Sequence, residues 1–244
     1  MRTYGNTILI TGGGTGIGLA LAEELVCRNN VVIICGRRSE RLEAAKKRLP
    51  QVHTRVCDLS QVASRRALAD WLPSHFKELN ILINNAGIQR LVDFRKGERD
   101  INHAYEEVAT NLVAPIHLSA LLIPVLRKRK EAAIVNISSG LAFTPLSVVP
   151  VYCATKAAIH SLSLTVRHQL RETSIRVFEV APPMVATELS GRRRRAEEGG
   201  FAMMPAEAAA GIIKALENDE YEVALGSAAG LHSQREALFE AINE

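Results

Sequence analysis

The chain has 244 residues, of which 47% are hydrophobic and 23% charged, and its formal net charge is +4. That balance is ordinary for a soluble globular protein, and a chain of this length can bury a core without disulfides or metal ions. The four cysteines stand singly, without a C-x-x-C pair or a neighbouring histidine at ligand spacing. They predict buried free thiols in a reducing compartment, and no metal site.

The first residues and the most apolar stretch bear on location. The chain enters a strand-like run at Thr7 without a basic segment followed by an apolar one, which predicts no signal peptide and a cytoplasmic protein. Residues 109–126 carry no formal charge, but they include prolines, Asn111 and His117, which suit a lipid-facing helix poorly. We expect a long helix in the core or at a subunit contact, and no membrane insertion.

Seven short apolar runs alternate with helical patterns along the chain. They lie at residues 7–11, 31–35, 52–57, 81–84, 133–137, 175–180 and 221–225. Several are apolar at successive positions, as in strands that helices cover on both faces. This order predicts an α/β fold: a single doubly wound domain over residues 1–244, with a mostly parallel seven-stranded sheet and helices on both faces.

A glycine-rich loop, TGGGTGIG, joins the first strand to the first helix. Glycine lets the backbone approach a pyrophosphate, and the N-terminus of the following helix offers free N–H groups and a positive dipole end. The loop therefore predicts a dinucleotide site of Rossmann type. The expected cofactor contacts here are Gly12, Gly14, Thr15, Gly16, Ile17 and Gly18.

The end of the second strand bears on which nicotinamide cofactor is used. Gly36 is followed by Arg37 and Arg38, and no acid occurs before Glu40. A carboxylate here would accept a hydrogen bond from the ribose 2′-hydroxyl of NAD, whereas a guanidinium can bind the 2′-phosphate of NADP bidentately. The sequence favours NADP(H) over NAD(H), with the alternative that these arginines merely open a solvated helix.

A tyrosine and a lysine stand one helical turn apart in the second half of the chain. Tyr152 and Lys156 share a helix face, and a neighbouring ammonium favours the phenolate form of a tyrosine. Ser138 and Ser139 follow the strand at 133–137, at the sheet edge where ligands bind in open α/β folds. A serine hydroxyl there can polarise a substrate oxygen while Tyr152 donates its proton.

Together these motifs resemble the short-chain dehydrogenases/reductases over nearly the whole chain. The resemblance implies that Asn111, Ser139, Tyr152 and Lys156 form a catalytic tetrad, in which Tyr152 is the general acid/base and Asn111 helps keep a water-linked proton relay. Ser139 is preferred to Ser138 because it matches the family's interval to the tyrosine. Further cofactor contacts implied by the resemblance are Asp58, Leu59, Asn85, Ala86, Gly87, Tyr152, Lys156, Pro182, Met184, Val185 and Thr187.

One departure from the family pattern lies after the sixth strand. The usual Pro-Gly is Pro182-Pro183 here, and Pro183 fixes φ and lacks an N–H, so the loop over the nicotinamide is expected to lie differently. This run, with the segments around Tyr152 and Arg37, is most similar to the DltE-like oxidoreductases. The subgroup resemblance does not identify a substrate, and the apolar Leu141, Phe143, Leu146 and Val149 suggest a hydrophobic one only weakly.

Residues 188–204 are predicted to form a loop that closes over substrate. The stretch is rich in Gly, Arg and Glu and includes four consecutive arginines at 192–195. A solvated loop accounts for those arginines, with steering of an anionic substrate as the alternative. No finger, recognition-helix or RNP pattern accompanies them, so no nucleic-acid partner is predicted.

The expected function is NADP(H)-dependent hydride transfer with a small-molecule carbonyl or alcohol substrate. The alternative is a non-catalytic NADP-binding regulator or scaffold, which would need the glycine loop but not the tetrad. The apolar helices around residues 109–126 and after Tyr152 exceed what one sheet can bury, so we expect a homodimer or homotetramer.

Overall fold

The computed structural model describes residues 1–189 and 202–244. Seven strands form one sheet: β1 (Thr7–Thr11), β2 (Val31–Gly36), β3 (His53–Val56), β4 (Leu79–Asn84), β5 (Ala132–Ile137), β6 (Ile175–Ala181) and β7 (Glu222–Ala224). Their order is β3-β2-β1-β4-β5-β6-β7, and every neighbouring pair is parallel. The predicted doubly wound sheet is confirmed.

Ten α-helices lie in the described part of the chain. They are α1 (Gly16–Cys27), α2 (Ser39–Arg48), α3 (Val62–His75), α4 (Glu98–Ile101), α5 (Ala104–Val108), α6 (Ala114–Leu126), α7 (Pro150–Gln169), α8 (Pro205–Glu217), α9 (Ala228–Gln234) and α10 (Phe239–Asn243). A π-helical turn, Ala109–Val113, joins α5 to α6, and a 3₁₀ turn, Gly140–Ala142, follows β5.

Two apolar cores cover the two faces of the sheet. In β1, Ile8 and Ile10 face a core that includes residues of α1 and α8, whereas Leu9 faces one that includes residues of α3 and α6. Strands β1, β4 and β5 are buried along their whole length, which explains why their sequences are apolar at successive positions rather than alternately.

The site is positioned by the strand order. Strand β1 pairs with both β2 and β4, so the crossovers diverge on either side of it and open a crevice at the carboxyl ends of the strands. The glycine loop, the segment after β4 and the turn after β5 all lie at this edge.

The apolar segment before β5 is one helical stretch, Glu98–Leu126, and by length and composition it is the one candidate membrane span among the described residues. That is weak evidence, because the core helix of a soluble protein passes the same test. Its Leu118, Leu122 and Leu126 belong to the core shared with α3, while Val113 and Ile116 remain exposed.

Two local expectations were wrong. Cys27 is exposed, because it ends α1 on the outward side, whereas Cys35, Cys57 and Cys153 are buried and free as predicted. The sequence also offers Ser39, before Glu40, and Ser60, before Gln61, as helix caps, but neither acts as one: α2 begins at Ser39 itself, and before α3 the Ser60 hydroxyl donates to Asp58.

Candidate active site

The glycine loop is shaped by its contacts with neighbouring strands. Gly12 has φ +67°, and a Cβ there would lie 2.8 Å from Cα of Ala86. A Cβ on Gly18 would lie 2.5 Å from Nδ2 of Asn85, whereas one on Gly14 would meet only ordinary contacts. Close packing around the loop therefore requires glycine at Gly12 and Gly18, even without a bound ligand.

Thr11 and Asn85 connect this loop to the end of β4. The Thr11 hydroxyl accepts hydrogen bonds from the backbone N–H groups of Asn85 (2.9 Å) and Ala86 (3.0 Å). The Asn85 side-chain amide donates to the Thr11 carbonyl at 2.9 Å. Within the described chain, no side chain caps α1 at Thr15, so the N–H groups from Gly16 to Gly18 remain available to a phosphate.

Arginines stand where the 2′-phosphate of NADP was expected, but carboxylates already engage them. Arg37 donates to Glu106, which also accepts from Arg90 at 2.6 Å. Although partial burial alone raises it, these two hydrogen bonds hold the pKa of Glu106 below its ordinary value. Arg38 lies 3.7 Å from the carboxylate of Glu188.

A third arginine, which the sequence analysis did not single out, joins this group. Arg41 in α2 contacts both carboxylate oxygens of Glu188, at 2.9 and 3.2 Å. Glu188 follows Thr187, so Arg41 links the loop after β6 to the cofactor side of the cleft.

The expected adenine side lies at the carboxyl end of β3. Leu59 is buried in the core, and the Asp58 carboxylate accepts from the backbone N–H (3.0 Å) and hydroxyl (2.8 Å) of Ser60. Ile17 lies in α1 and packs against the core on the other face of the sheet from Leu59.

Backbone hydrogen bonds connect the segment before the predicted closing loop to the end of that loop. The N–H of Met203 donates to the Met184 carbonyl, and the N–H of Ala186 donates to the Met203 carbonyl, both at 3.0 Å. Val185 forms the corresponding bridge with Met203. Most of the loop, including the four arginines, falls in residues 190–201 and lies outside the described residues.

The loop after β6 also contacts both halves of the cleft. Pro182 accepts a backbone hydrogen bond from Gly140 at 3.0 Å. A Cβ on Gly16 would lie 3.0 Å from the Thr187 methyl. A Cβ on Gly226 would lie 3.7 Å from Cγ of Pro183.

The four tetrad residues come together and are buried, with no more than 7% of any of them exposed. Ser139 lies beside Tyr152, where its hydroxyl acts to lower the pKa of that phenol. The ammonium of Lys156 lies 5.5 Å from the centre of the Tyr152 ring and donates to the Ile137 carbonyl at 2.7 Å. Ser138 is also buried, but its hydroxyl has no hydrogen-bond partner among the described residues, so the geometry favours Ser139.

Asn111 is held on the π-helical turn between α5 and α6. Its side chain donates to the Ile88 carbonyl at 2.8 Å and accepts from the Ile88 N–H at 2.9 Å. It also contacts the hydroxyl of Thr155 at 3.3 Å. A Cβ on Gly87 would lie 3.5 Å from Asn111 Oδ1 and 3.9 Å from Lys156 Nζ, so Gly87 borders both groups.

Burial has the largest effect on the pKa values of Tyr152 and Lys156. It raises the pKa of Tyr152 despite the opposing effect of the Ser139 hydroxyl, and it lowers the pKa of Lys156 to about 8 despite the nearby carboxylates of Glu179 and Glu107. In the chain alone Tyr152 is therefore a protonated phenol, and the lowered pKa expected from the sequence needs the charge of an oxidised nicotinamide ring in addition to the Lys156 ammonium. The ammonium does not offset the loss of solvent.

Sequence reasoning missed three buried polar residues in two groups: Glu107 alone, and Asn136 with Ser163, which are linked to Asn84 of the motif at residues 84–87 that the family resemblance had already marked. Glu107 is fully buried, and neither carboxylate oxygen has a hydrogen-bond partner among the described residues; burial raises its pKa to about 7. The second group connects three elements: the Asn84 amide donates to Asn136, whose amide donates to the Ser163 hydroxyl, both at 2.9 Å. Periodicity could not mark these residues, because their positions also suit apolar side chains.

Comparison with known proteins agrees with this geometry. A family model described as short chain dehydrogenase matches residues 6–198. The uncharacterized oxidoreductase DltE of Bacillus subtilis (strain 168) is 54% identical over 194 residues, which cover 80% of this chain and 77% of that protein. The NADP-dependent 3-hydroxy acid dehydrogenase of Schizosaccharomyces pombe is 30% identical over 195 residues, covering 78% and 75% respectively.

A solved structure supports the same assignment. The short chain dehydrogenase from Burkholderia cenocepacia J2315 in complex with NADP superposes with a TM-score of 0.83 at 27% identity, covering 96% of this chain and 94% of that one. The predicted family resemblance and its DltE-like subgroup are confirmed. The chain belongs to the short-chain dehydrogenase family and is an NAD(P)-dependent oxidoreductase.

Proposed function

We propose that this protein is a cytoplasmic NADP(H)-dependent oxidoreductase that transfers a hydride between the nicotinamide and a carbonyl or alcohol, with Tyr152 as general acid/base. The observation that carries the proposal is the buried group of Ser139, Tyr152 and Lys156, in which the Lys156 ammonium lies 5.5 Å from the centre of the Tyr152 ring. This group lies at the carboxyl edge of the sheet, across the crevice from the glycine loop. A regulator that only bound the dinucleotide would not need it.

The residues at the crevice fit a dinucleotide. The backbone approach at Gly12 and Gly18 leaves no room for side chains, and the N-terminus of α1 presents uncapped N–H groups. The pyrophosphate would be held there, the adenine beside Asp58 and Leu59, and the nicotinamide end beside the loop after β6. When bound, the nicotinamide supplies or accepts the hydride.

The tetrad provides the proton chemistry. Because burial keeps Tyr152 protonated, it can donate to the oxygen of a carbonyl substrate, which suits the reductive direction. Ser139 orients that oxygen, and the Lys156 charge stabilises the phenolate that remains. Asn111 is fixed by Ile88 and Thr155 where a water-linked path can return the proton to Tyr152.

The preference for NADP(H) is supported by three arginines, Arg37, Arg38 and Arg41, at the end of β2 and the start of α2. No acid stands between Gly36 and Glu40, so nothing from this segment repels a 2′-phosphate. Their carboxylate partners Glu106 and Glu188 come from other elements and are partly exposed, so exchange for a phosphate is accessible. The Schizosaccharomyces pombe relative is named as NADP-dependent.

The substrate class is bounded by the packing around Tyr152. Leu141 and Leu146 pack with Val149 and Tyr152. Phe143 is buried between the rings of two histidines, which turns it away from the expected pocket wall. The relative named as a 3-hydroxy acid dehydrogenase makes small 3-hydroxy acids and their 3-oxo forms the first substrates to test, beside bulky apolar carbonyls.

The decisive experiment is a panel of carbonyls and alcohols assayed by nicotinamide absorbance with both cofactors. We expect turnover of at least one substrate with NADPH or NADP⁺, and weaker activity with NADH or NAD⁺. Tight NADPH binding without turnover of any panel member, and without hydride exchange, would favour the regulator instead.

We also propose a homodimer or homotetramer formed by the apolar helices. An apolar groove of about 250 Å³ between α7 and the π-helical turn is lined by Leu112, Val108 and Val151. Val113 and Ile116 are exposed beside it, and Leu164 is exposed further along α7. Sedimentation at micromolar concentration should show a dimer or tetramer; a monomer there would contradict this proposal.

A further inference from the structure

Two histidines and two glutamates converge behind the catalytic helix. His160 in α7, Glu179 in β6, Glu222 in β7 and His232 in α9 come from four separate elements. The His160 Nδ1 lies 2.8 Å from a Glu179 oxygen, and the His232 Nε2 lies 2.9 Å from a Glu222 oxygen. Ligand atoms of His160, Glu179 and Glu222 all lie within 4.8 Å of one another.

Glu179 has the least favourable environment of the four residues in this cluster. It is fully buried, with 0% of its surface exposed, and its Oε1 has no hydrogen-bond partner among residues 1–189 and 202–244. A buried carboxylate oxygen without a partner is unfavourable, because it has lost its water without a replacement.

We propose that these side chains bind one divalent transition-metal ion, with Glu179, Glu222 and His160 as ligands and His232 as the fourth. Two imidazole nitrogens and two carboxylate oxygens are the donors of a tetrahedral Zn²⁺ site, and they also suit Co²⁺. Mg²⁺ and Ca²⁺ prefer oxygen ligands throughout, so the imidazoles argue against them. The ion supplies the partner that Glu179 Oε1 lacks.

The geometry needs only small side-chain movements to accept an ion. With metal–ligand bonds of about 2.0–2.2 Å, ligand atoms of a tetrahedral site lie roughly 3.3 Å apart. The two histidine–glutamate pairs are slightly closer than this, and the atoms of the three-ligand group fall within 4.8 Å. Side-chain rotation can therefore bring the three-ligand group onto one ion, whereas His232, which lies outside that group, must turn towards the ion from its contact with Glu222.

The surrounding packing already orients the ligands. The Phe143 ring stands edge-on between the two imidazoles, with ring centres 4.8 Å from His160 and 4.4 Å from His232. Glu179 and Glu222 are partners in the register of β6 and β7, so their side chains project from neighbouring positions on the sheet. Fixed orientation of metal-binding side chains is what outer contacts provide in known sites.

The ion would join the C-terminal part of the chain to the catalytic edge. Helix α9 packs on the Gly140–Ala142 turn that follows Ser139, and Thr144 donates to carbonyls of Leu231 and Arg235. His232 and Glu222 are partly exposed, which leaves an entry path from solvent. The four residues lie far apart in the sequence, so no ligand-spacing motif predicted a metal site from them.

The test is metal binding by the full-length chain after removal of metal with a chelator. We expect one Co²⁺ or Zn²⁺ per chain, a Co²⁺ spectrum of a four-coordinate nitrogen–oxygen site without a thiolate charge-transfer band, and a raised thermal midpoint. Glu222→Gln and His232→Gln change partly exposed side chains, so they should leave the fold intact while lowering metal affinity at least about tenfold. No turnover assay is needed.

Matched controls separate this site from chance binding elsewhere. Glu220→Gln and His168→Gln change the same residue types outside the cluster, and they should leave affinity and stoichiometry unchanged. Binding that is substoichiometric, equal in all variants, or marked by a thiolate band that points to the exposed Cys27 would overturn the proposal.

Discussion

The two ends of the cleft, one for the cofactor and one for catalysis, are positioned by different kinds of chemical group. At the cofactor end, backbone geometry at the glycine loop does the positioning, and the charged side chains of Arg37, Arg38 and Arg41 are about half exposed. At the catalytic end, Asn111, Tyr152 and the other tetrad residues are almost fully buried, and polar side chains do the positioning.

This difference decides which forces can be tuned at each end. Exposed ion pairs contribute little, exchange readily and weaken with salt, so the cofactor end can trade a carboxylate for a phosphate at small cost. Buried groups change their pKa values instead, as Tyr152, Lys156 and Glu107 do. Mutations at the catalytic end should therefore have larger effects than mutations at the cofactor end.

The largest effect is expected for Tyr152→Phe. Loss of the transferable proton should lower kcat by roughly 10²- to 10⁴-fold, since that is the usual contribution of general acid–base catalysis. NADPH affinity should stay within a few-fold, because the ring itself remains. Tyr105→Phe is the matched control, since that side chain is exposed. Turnover by Tyr152→Phe near the parent rate would remove Tyr152 from its role.

Glu107→Gln tests burial at the same end through stability. The folded chain holds the Glu107 proton more tightly than the unfolded chain, so stability is lost as pH rises from about 4.5 to about 7. That rise in pKa corresponds to about 3 kcal/mol, which glutamine does not lose. We expect Glu107→Gln to be more stable than the parent in urea titrations at pH 8 and nearly equal at pH 4.

The control for this variant is Glu43→Gln, which changes an exposed carboxylate on α2. It should leave stability unchanged at both pH values. A Glu107→Gln protein less stable than its parent at pH 8 would mean that the ionised carboxylate is held by favourable charges from Arg90 and Lys156, and the catalytic end would then be less desolvated than its geometry indicates.

Much of this architecture was predictable from the sequence, for identifiable reasons. Strands covered on both faces, such as β1, β4 and β5, show continuous apolar runs, whereas the more exposed β3 and β7 were marked by their place between helical patterns; all seven were predicted within about two residues of their observed ends. Tyr152 and Lys156 lie in one helix, and Ser139 directly follows a strand, so local spacing was enough to bring them to one edge. Glycines at the β1–α1 junction were similarly marked by their context.

What could not be predicted depends on contacts between distant segments. Glu107 has the sequence neighbourhood of a solvated helix, since Glu106 beside it is indeed partly exposed; only packing of α5 against α7 buries it. The pairing of Arg37 with Glu106 joins residues from different halves of the cleft. The opposing effect of burial on the Tyr152 pKa could not be predicted, because burial is a property of the whole fold.

At the cofactor end, Arg37→Ala should weaken NADPH binding by about 10- to 100-fold, as expected for loss of one charge-assisted contact. NADH affinity should hardly change, since NADH has no 2′-phosphate. The measurement is fluorescence titration with both cofactors. Arg48→Ala, which removes an arginine paired with Glu23 at the far end of α2, is the control. An equal loss for both cofactors would indicate a structural role for Arg37.

Gly12→Ala separates close approach from backbone conformation. Gly12 and Gly5 both have φ +67°, but a Cβ meets the Ala86 backbone at 2.8 Å only in Gly12 and nothing within 4 Å in Gly5. Both variants should lose about 1 kcal/mol of stability from left-handed strain, and Gly12→Ala should lose more, because its loop must also move away from Ala86. Only Gly12→Ala should also lose cofactor affinity, by about tenfold, because the loop must move away from β4. Equal cofactor affinity in the two variants would contradict this.

The smallest effect is expected for Glu106→Gln, and it tests whether the cofactor end works by exchange of ion-pair partners. Glu106 holds Arg37 and Arg90 in the free chain, so part of the binding energy of a 2′-phosphate goes into separating Arg37 from this carboxylate. An exposed pair of this kind contributes roughly 0.2–1 kcal/mol, so NADPH should bind about 1.4- to five-fold more tightly to the variant at low salt.

The gain from Glu106→Gln should shrink as ionic strength rises, because screening weakens the ion pair that the variant removes. It should be absent with NADH, for which Arg37 need not leave its partner. The adjacent Glu107 makes a sharp contrast: its buried carboxylate should respond to pH rather than to salt. If Glu106→Gln instead weakened NADPH binding, Glu106 would be holding Arg37 ready for the phosphate, and the two ends of the cleft would both depend on fixed polar side chains.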